Sequence, residues 1–138
     1  MKVAGKYLLD TNICIYAMNR SSRSVMQKML DAGPDALVIS SMVAAELAFG
    51  VARSNEAYRA KNKHNLQRFV GSIEVLPWTH AAMWHFGEQR QRLKLAGQPI
   101  GEIELLIGAQ ALASDLVVVT NNTKEFERIE GLKLENWL

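Results

Sequence analysis

The chain has 138 residues, 49% of them hydrophobic and 22% charged, the makeup of one globular domain with a buried core. A net charge of +2, from 16 Lys and Arg against 14 Asp and Glu, gives no global nucleic-acid signature. No apolar run reaches the roughly 20 residues that a bilayer span needs. Residues 1–6 lead into only three apolar residues before Asp10, too few for the core of a signal peptide. Cys14 has no partner for an internal disulfide and sits in an apolar stretch, as a packed thiol in a reducing compartment does. The reading is a single domain over residues 1–138, without a membrane segment, in the cytoplasm.

Lys6 to Asp10 reads as a strand ending in an acid, followed by a helix over 12–31. After the Gly33-Pro34 turn, Leu37 to Ser40 forms a second strand, and helices are expected at 41–53 and 56–71. Ile73 to Trp78 is a third strand and 79–96 a helix. The loop Gly97-Gln98-Pro99-Ile100-Gly101 leads to a helix over 102–114. A fourth strand at Leu116 to Thr120, a short helix at 123–129 and a weaker strand at Leu132 to Trp137 complete the chain. Strand and helix alternating in this way imply an α/β fold, a three-layer α/β/α sandwich around a small, mostly parallel sheet. Ligands in such sheets bind at the carboxyl ends of strands, where Asp10 and Asn122 both fall.

Several segments set an acid where a fold would place something apolar: Leu8-Leu9-Asp10-Thr11-Asn12, Ala44-Ala45-Glu46-Leu47 and Gly101-Glu102-Ile103-Glu104-Leu105. Carboxylates are costly to bury and rarely do so without a partner, so acids gathered among apolar segments call for a divalent cation between them. Asp10 also suits the N-cap of the following helix. Glu46 falls about 60° from Val43 and about 40° from Gly50 around its helix, on the edge of the apolar stripe. Glu102 and Glu104 lie about 200° apart on a helix apolar on nearly every side. Glu102 suits the positive end of the helix dipole, whereas Glu104, at helical spacing from Ile107, Gly108 and Ala111, is harder to place on a surface. Thr120-Asn121-Asn122-Thr123 serves turn chemistry, and its amide oxygens also suit a hard cation.

Taken together these segments, with Ile39-Ser40-Ser41, Gly50, Glu125-Phe126 and Glu135-Asn136-Trp137, make the sequence resemble PIN-domain ribonucleases nearly end to end. More narrowly, it is similar to the VapC family, the toxins of VapBC-type toxin–antitoxin pairs. The resemblance implies a PIN-like fold and a Mg²⁺- or Mn²⁺-dependent endoribonuclease that hydrolyses RNA to 5′-phosphate and 3′-hydroxyl ends. It carries over Asp10, Glu46 and Glu104 as catalytic metal ligands, with Thr11, Glu102, Thr120 and Asn122 orienting ligands or waters. Glu104 stands where the family usually has Asp, and the extra methylene moves its carboxylate outward by more than about 1 Å, against the strict octahedral geometry of Mg²⁺. Asn122 stands where many members carry a fourth Asp. The alternative is an impaired member that binds RNA or antitoxin without cutting.

The resemblance further implies a structured RNA target such as tRNA, inhibition of translation, and a cognate VapB-type antitoxin that blocks the acidic pocket with a basic side chain. A homodimer is expected through the helices at 41–53 and 56–71, with Met42, Phe49 and Val51, as is a toxin–antitoxin hetero-oligomer on operator DNA through the antitoxin. Two basic stretches stand out, Arg59, Lys61, Lys63, His64 and Arg68, then Arg90, Arg92 and Lys94. Arg53, Arg90, Arg92 and Lys94 are the candidates for RNA phosphates, although such residues also serve as solvated helix faces. An aspartyl phosphatase would need a second acid two residues after Asp10, and Asn12 stands there. His64, His80 and His85 lie away from the acidic motifs, so no His-based catalytic set competes.

Overall fold

A computed structural model of the chain describes residues 5–138; the reading of the first residues as carrying no leader rests partly on residues 1–4, outside the described range. The strands are β1 (Tyr7–Leu9), β2 (Leu37–Ser40), β3 (Glu74–Leu76), β4 (Val117–Val119) and β5 (Lys133–Glu135), in the spatial order β3-β2-β1-β4-β5. Every pairing is parallel, with Leu8 opposite Val38 on one side and Val118 on the other. A central strand with both faces covered must be largely apolar, which is why β1, β2 and β4 read as runs of Val, Leu and Ile, whereas the edge strands β3 and β5 carry Glu74, Lys133 and Glu135. The helices are α1 (Thr11–Asn19), α2 (Arg23–Ala32), α3 (Ser41–Ala52), α4 (Glu56–Ser72), α5 (Met83–Leu95), α6 (Glu102–Ser114) and α7 (Thr123–Phe126). They flank the sheet as the α/β/α sandwich expected from the alternation, and the sheet is wholly parallel rather than mostly so.

The helix expected over 12–31 is broken in two. Arg20 turns left-handed at φ 50° and closes α1, and the Ser22 hydroxyl then accepts the Val25 N–H to start α2. The helix expected from 79 opens with a 3₁₀ turn at His80–Ala82, and that expected over 123–129 ends at Phe126.

Three contacts hold α6 in place. A methyl group on Gly108 would fall 2.4 Å from Ile129 Cδ1, so glycine lets α6 approach the segment after α7 without displacing the end of that side chain. The Trp78 indole N–H donates to Leu106 O at 2.8 Å, and buried Gln110 donates to Leu76 O at 3.2 Å. The core beneath the site is built from Leu8, Leu9, Ile13, Val43, Ile107, Val118, Val119 and Phe126, all fully buried. The chain leaves β1 for β2 on one side and returns as β4 on the other, which opens a crevice at the carboxyl ends of β1 and β4.

Candidate active site

Asp10 emerges from β1 into that crevice and is 8% exposed. Its backbone N–H bonds Val119 O at 2.9 Å, which fixes it against β4. Oδ1 accepts the Thr11 N–H and Oδ2 accepts the Thr120 hydroxyl, both at 2.8 Å. Asp10 therefore is the N-cap of α1, and its second oxygen is spoken for by the end of β4. The Thr11 hydroxyl in turn donates to Glu46 Oε1 at 2.6 Å, joining the first turn of α1 to α3. On the β4 side, the Thr120 hydroxyl oxygen accepts the Asn122 N–H at 2.9 Å, and the Asn122 amide donates to Glu125 Oε2 at 2.5 Å.

Burial pushes the Asp10 carboxyl above its ordinary value of 3.8, more than its two hydrogen bonds pull it down, and the Glu46 charge adds to the rise. Glu104, in the first turn of α6 and half-buried, is also raised, first by burial and then by the charges of Glu125, Asp10 and Glu46. Asp10, Glu46, Glu104 and Glu125 thus share one electrostatic site. None of them takes part in the three ion pairs among the described residues. Glu125 is the member that the sequence reading missed; its signal was the Asn122-x-x-Glu125 spacing at the start of α7.

Other expected site residues lie elsewhere. Glu102 points away from the crevice and pairs with Arg90 at 2.9 Å, since the turn of α6 sets it almost opposite Glu104. Arg92 is tied to Gln89 Oε1, Arg128 O and Glu130, so it clasps α5 to the segment after α7 rather than facing solvent freely. Lys94 lies on exposed α5. Arg53 stands by the site, stacked 5.3 Å from the ring centroid of Phe49, which is 65% exposed. Met42 packs on the core, whereas Phe49 and Val51 line a groove beside Glu46.

The donor set suits a hard divalent cation: carboxylate oxygens supplemented by hydroxyl and amide oxygens, with no cationic side chain paired to them. As the side chains stand, no three His, Cys, Asp or Glu groups among the described residues converge closely enough to hold an ion. The Glu104 carboxylate is folded back over the start of α6, where a methyl group on Gly101 would lie 2.1 Å from its Oε2.

A family model for the PIN domain matches residues 7–132, and the chain belongs to that family. It is 40% identical over 132 residues to Ribonuclease VapC2 of Rickettsia felis, covering 95% of this chain and 97% of that protein. To the tRNA(fMet)-specific endonuclease VapC of Shigella flexneri it is 38% identical over 133 residues, covering 96% and 98%. Among solved structures it matches VapBC2 from Rickettsia felis bound to a DNA fragment from their promoter, with a TM-score of 0.88 at 38% identity over 96% of this chain and 98% of that one. DNA-bound VapBC from Salmonella typhimurium matches with a TM-score of 0.89 at 33% identity, over 97% and 99%. Within the PIN family, its branch is that of the VapC ribonucleases.

Proposed function

We propose that this chain is a Mg²⁺- or Mn²⁺-dependent endoribonuclease that cuts structured RNA and so inhibits translation in the cytoplasm. The observation that carries the proposal is the gathering of Asp10, Glu46, Glu104 and Glu125 at the carboxyl ends of β1 and β4, with two of them raised in pKa and none paired to a cation. Asp10, Glu46 and Glu104 would hold the ion, with Glu125 close by. In such a donor set a divalent ion supplies charge neutralisation and Lewis-acid polarisation of the phosphoryl group.

The remaining chemistry belongs to the chain. Thr11 and Thr120 fix the two oxygens of Asp10, and the Thr11 hydroxyl holds Glu46 Oε1 beside them. Burial makes the Asp10 and Glu104 carboxyls more basic than ordinary carboxylates, so either would serve to accept a proton from an attacking water. Both Asp10 oxygens already accept hydrogen bonds, which leaves Glu104 as the freer acceptor. Asn122 restrains Glu125. The likeness to a tRNA(fMet)-specific endonuclease makes initiator tRNA the first substrate to try. The DNA-bound VapBC complexes among the structural relatives support a VapB-type antitoxin as partner; that the toxin pairs as a homodimer within such an assembly on operator DNA is part of the proposal.

A second reading, binding without cutting, draws on the position of Glu104, folded onto the start of α6 and carrying one methylene more than the usual Asp. One experiment separates the two: cleavage of a tRNA pool by antitoxin-free protein with Mg²⁺ or Mn²⁺, with EDTA, and with Asp10→Asn. Discrete fragments that need both metal and Asp10 establish the nuclease. Silence that Glu104→Asp relieves identifies a disabled site, and silence that persists leaves the binding reading.

A further inference from the structure

The groove that begins at the carboxylates continues past them. From Thr11 and Glu46 a cavity of about 510 Å³ runs between α1, α3 and α4. It shares Met18 and Asn65 with a second, more open cleft of about 320 Å³ between the end of α1 and α4. Arg20, from the C-cap of α1, and Arg68, from α4, both line this second cleft, and no acidic residue does.

Neither guanidinium is paired among the described residues. The three ion pairs among the described residues involve Arg90, Arg92 and Lys133, and the arginine side-chain hydrogen bonds belong to Arg59, Arg90, Arg92 and Arg128. Arg20 is also unusual in its backbone. It and Asp115 are the only non-glycine residues among those described with positive φ, at 50° and 52°. Helices commonly end in this conformation with glycine, which adopts it without steric cost. Asp115 uses its side chain, pairing with Lys133 at 2.8 Å. Arg20 occupies the glycine position with a long cation that has no ion-pair or side-chain hydrogen-bond partner among the described residues.

Two guanidinium groups lining one cleft, with the Asn65 amide in its wall and no acid, are donors of the kind that phosphodiester oxygens accept from. The way from there to the carboxylates passes Phe49 and Arg53, an exposed ring and a cation of the kind on which unstacked bases settle. We propose that Arg20 and Arg68 form a phosphate-binding subsite that seats the backbone of single-stranded RNA away from the bond that is cut. This rests on the ribonuclease reading above and adds to it the direction in which the strand leaves the site.

The test uses the full chain carrying Asp10→Asn, so that the RNA survives, and follows binding of a short fluorescent single-stranded RNA by anisotropy over a series of KCl concentrations. Arg20→Gly with Arg68→Ala should weaken binding about tenfold and reduce the salt slope by about 1. Arg20→Gly alone should melt no lower than its parent, because glycine suits that backbone, so lost affinity cannot be ascribed to unfolding. In the otherwise unaltered enzyme, the pair should raise KM for RNA and leave kcat unchanged. Unchanged affinity and salt slope would overturn the subsite, as would intact RNA binding with loss of the co-expressed antitoxin, which would assign the cleft to a protein partner. If the unaltered chain cuts RNA and the paired arginine substitutions change neither RNA affinity nor KM, the subsite alone fails. If the unaltered chain neither binds nor cuts RNA, the ribonuclease reading falls with it.

Discussion

Replacing Asp10 by Asn should stabilise the metal-free protein and at the same time abolish its response to metal. Asn is as good an N-cap as Asp, and its Oδ1 can keep the Thr11 N–H. What changes is the charge. Without a bound ion the raised pKa of Asp10 means that burial and the Glu46 charge together outweigh its two hydrogen bonds, so the ionised carboxylate is a net cost to the fold at neutral pH. Removing it should gain about 1 kcal/mol provided the Thr120 bond reverses, the amide Nδ2 of Asn donating to the hydroxyl oxygen where Asp10 Oδ2 had accepted from it, or roughly 3 °C for a domain of this size. With a divalent ion at 100 times its dissociation constant, the unaltered protein gains about 2.7 kcal/mol, roughly 8 °C, and the variant gains little. The two melting curves should therefore change order: the variant higher by roughly 3 °C in EDTA and lower by roughly 5 °C in saturating Mn²⁺. Calorimetry at pH 8 with EDTA and with graded Mn²⁺ and Mg²⁺ measures both arms. A variant that melts well below the parent in EDTA would show that Asp10 is held for its cap and bonds alone. Equal metal shifts in both proteins would remove Asp10 from the ion's ligands.

Three further predictions concern the same region. Asp10 and Glu104 are both raised above ordinary values of 3.8 and 4.5, so between those values and their raised ones the folded chain binds more protons than the unfolded chain. Their stabilising contribution is complete below the ordinary values and is lost as pH rises through the raised ones; the EDTA melting advantage of Asp10→Asn should accordingly be absent near pH 4 and grow toward pH 8. Thr11→Val keeps the shape but deletes the hydroxyl that holds Glu46 Oε1 at 2.6 Å, and isothermal titration should find metal binding weakened 10- to 100-fold, as is typical when a ligand's hydrogen-bond partner is lost (~1.4–2.7 kcal/mol), with no large change in EDTA melting. Gly108→Ala would drive a methyl group to 2.4 Å from Ile129 Cδ1 and should cost about 1–3 kcal/mol by denaturant unfolding, with partial recovery on adding Ile129→Val.

The strands were legible because a parallel sheet covered on both faces demands uninterrupted apolar runs, and Val38-Ile39 and Val117-Val118-Val119 have few other uses. Asp10 and Glu46 were legible for the converse reason, as charges in segments that the core claims. Glu125 was not, because an acid in the first turn of a short helix is already accounted for by the helix dipole, and only the return of α7 toward Glu104 gives it a further meaning. The break at Arg20 was hidden because propensity favours Arg within a helix and disfavours it in the left-handed turn it adopts here. Arg90 and Arg92 could be read only as exposed cations, since Glu102 and the Arg128 carbonyl that engage them are brought to α5 by tertiary packing alone.

The identity of the groups around the acids decides what the site can hold. Four carboxylates drawn to one crevice repel one another, and a fold can answer that repulsion either with Lys or Arg or with neutral donors. This chain uses neutral donors throughout: the Thr120 hydroxyl and the Thr11 N–H on Asp10, the Thr11 hydroxyl on Glu46, and the Asn122 amide on Glu125. Such donors fix the carboxylate oxygens in direction without cancelling their charge, whereas a lysine or arginine would do both. The arginines that stand nearby are spent elsewhere, Arg90 on Glu102 and Arg53 on the Phe49 ring. The charge is thus left for something that arrives from outside the chain, and a divalent cation or the basic side chain of a bound inhibitor is the kind of group that completes it. On the proposed reading, a partner that offered a basic side chain to these acids would compete with a metal ion for the same oxygens, so that occupation by the one would exclude the other.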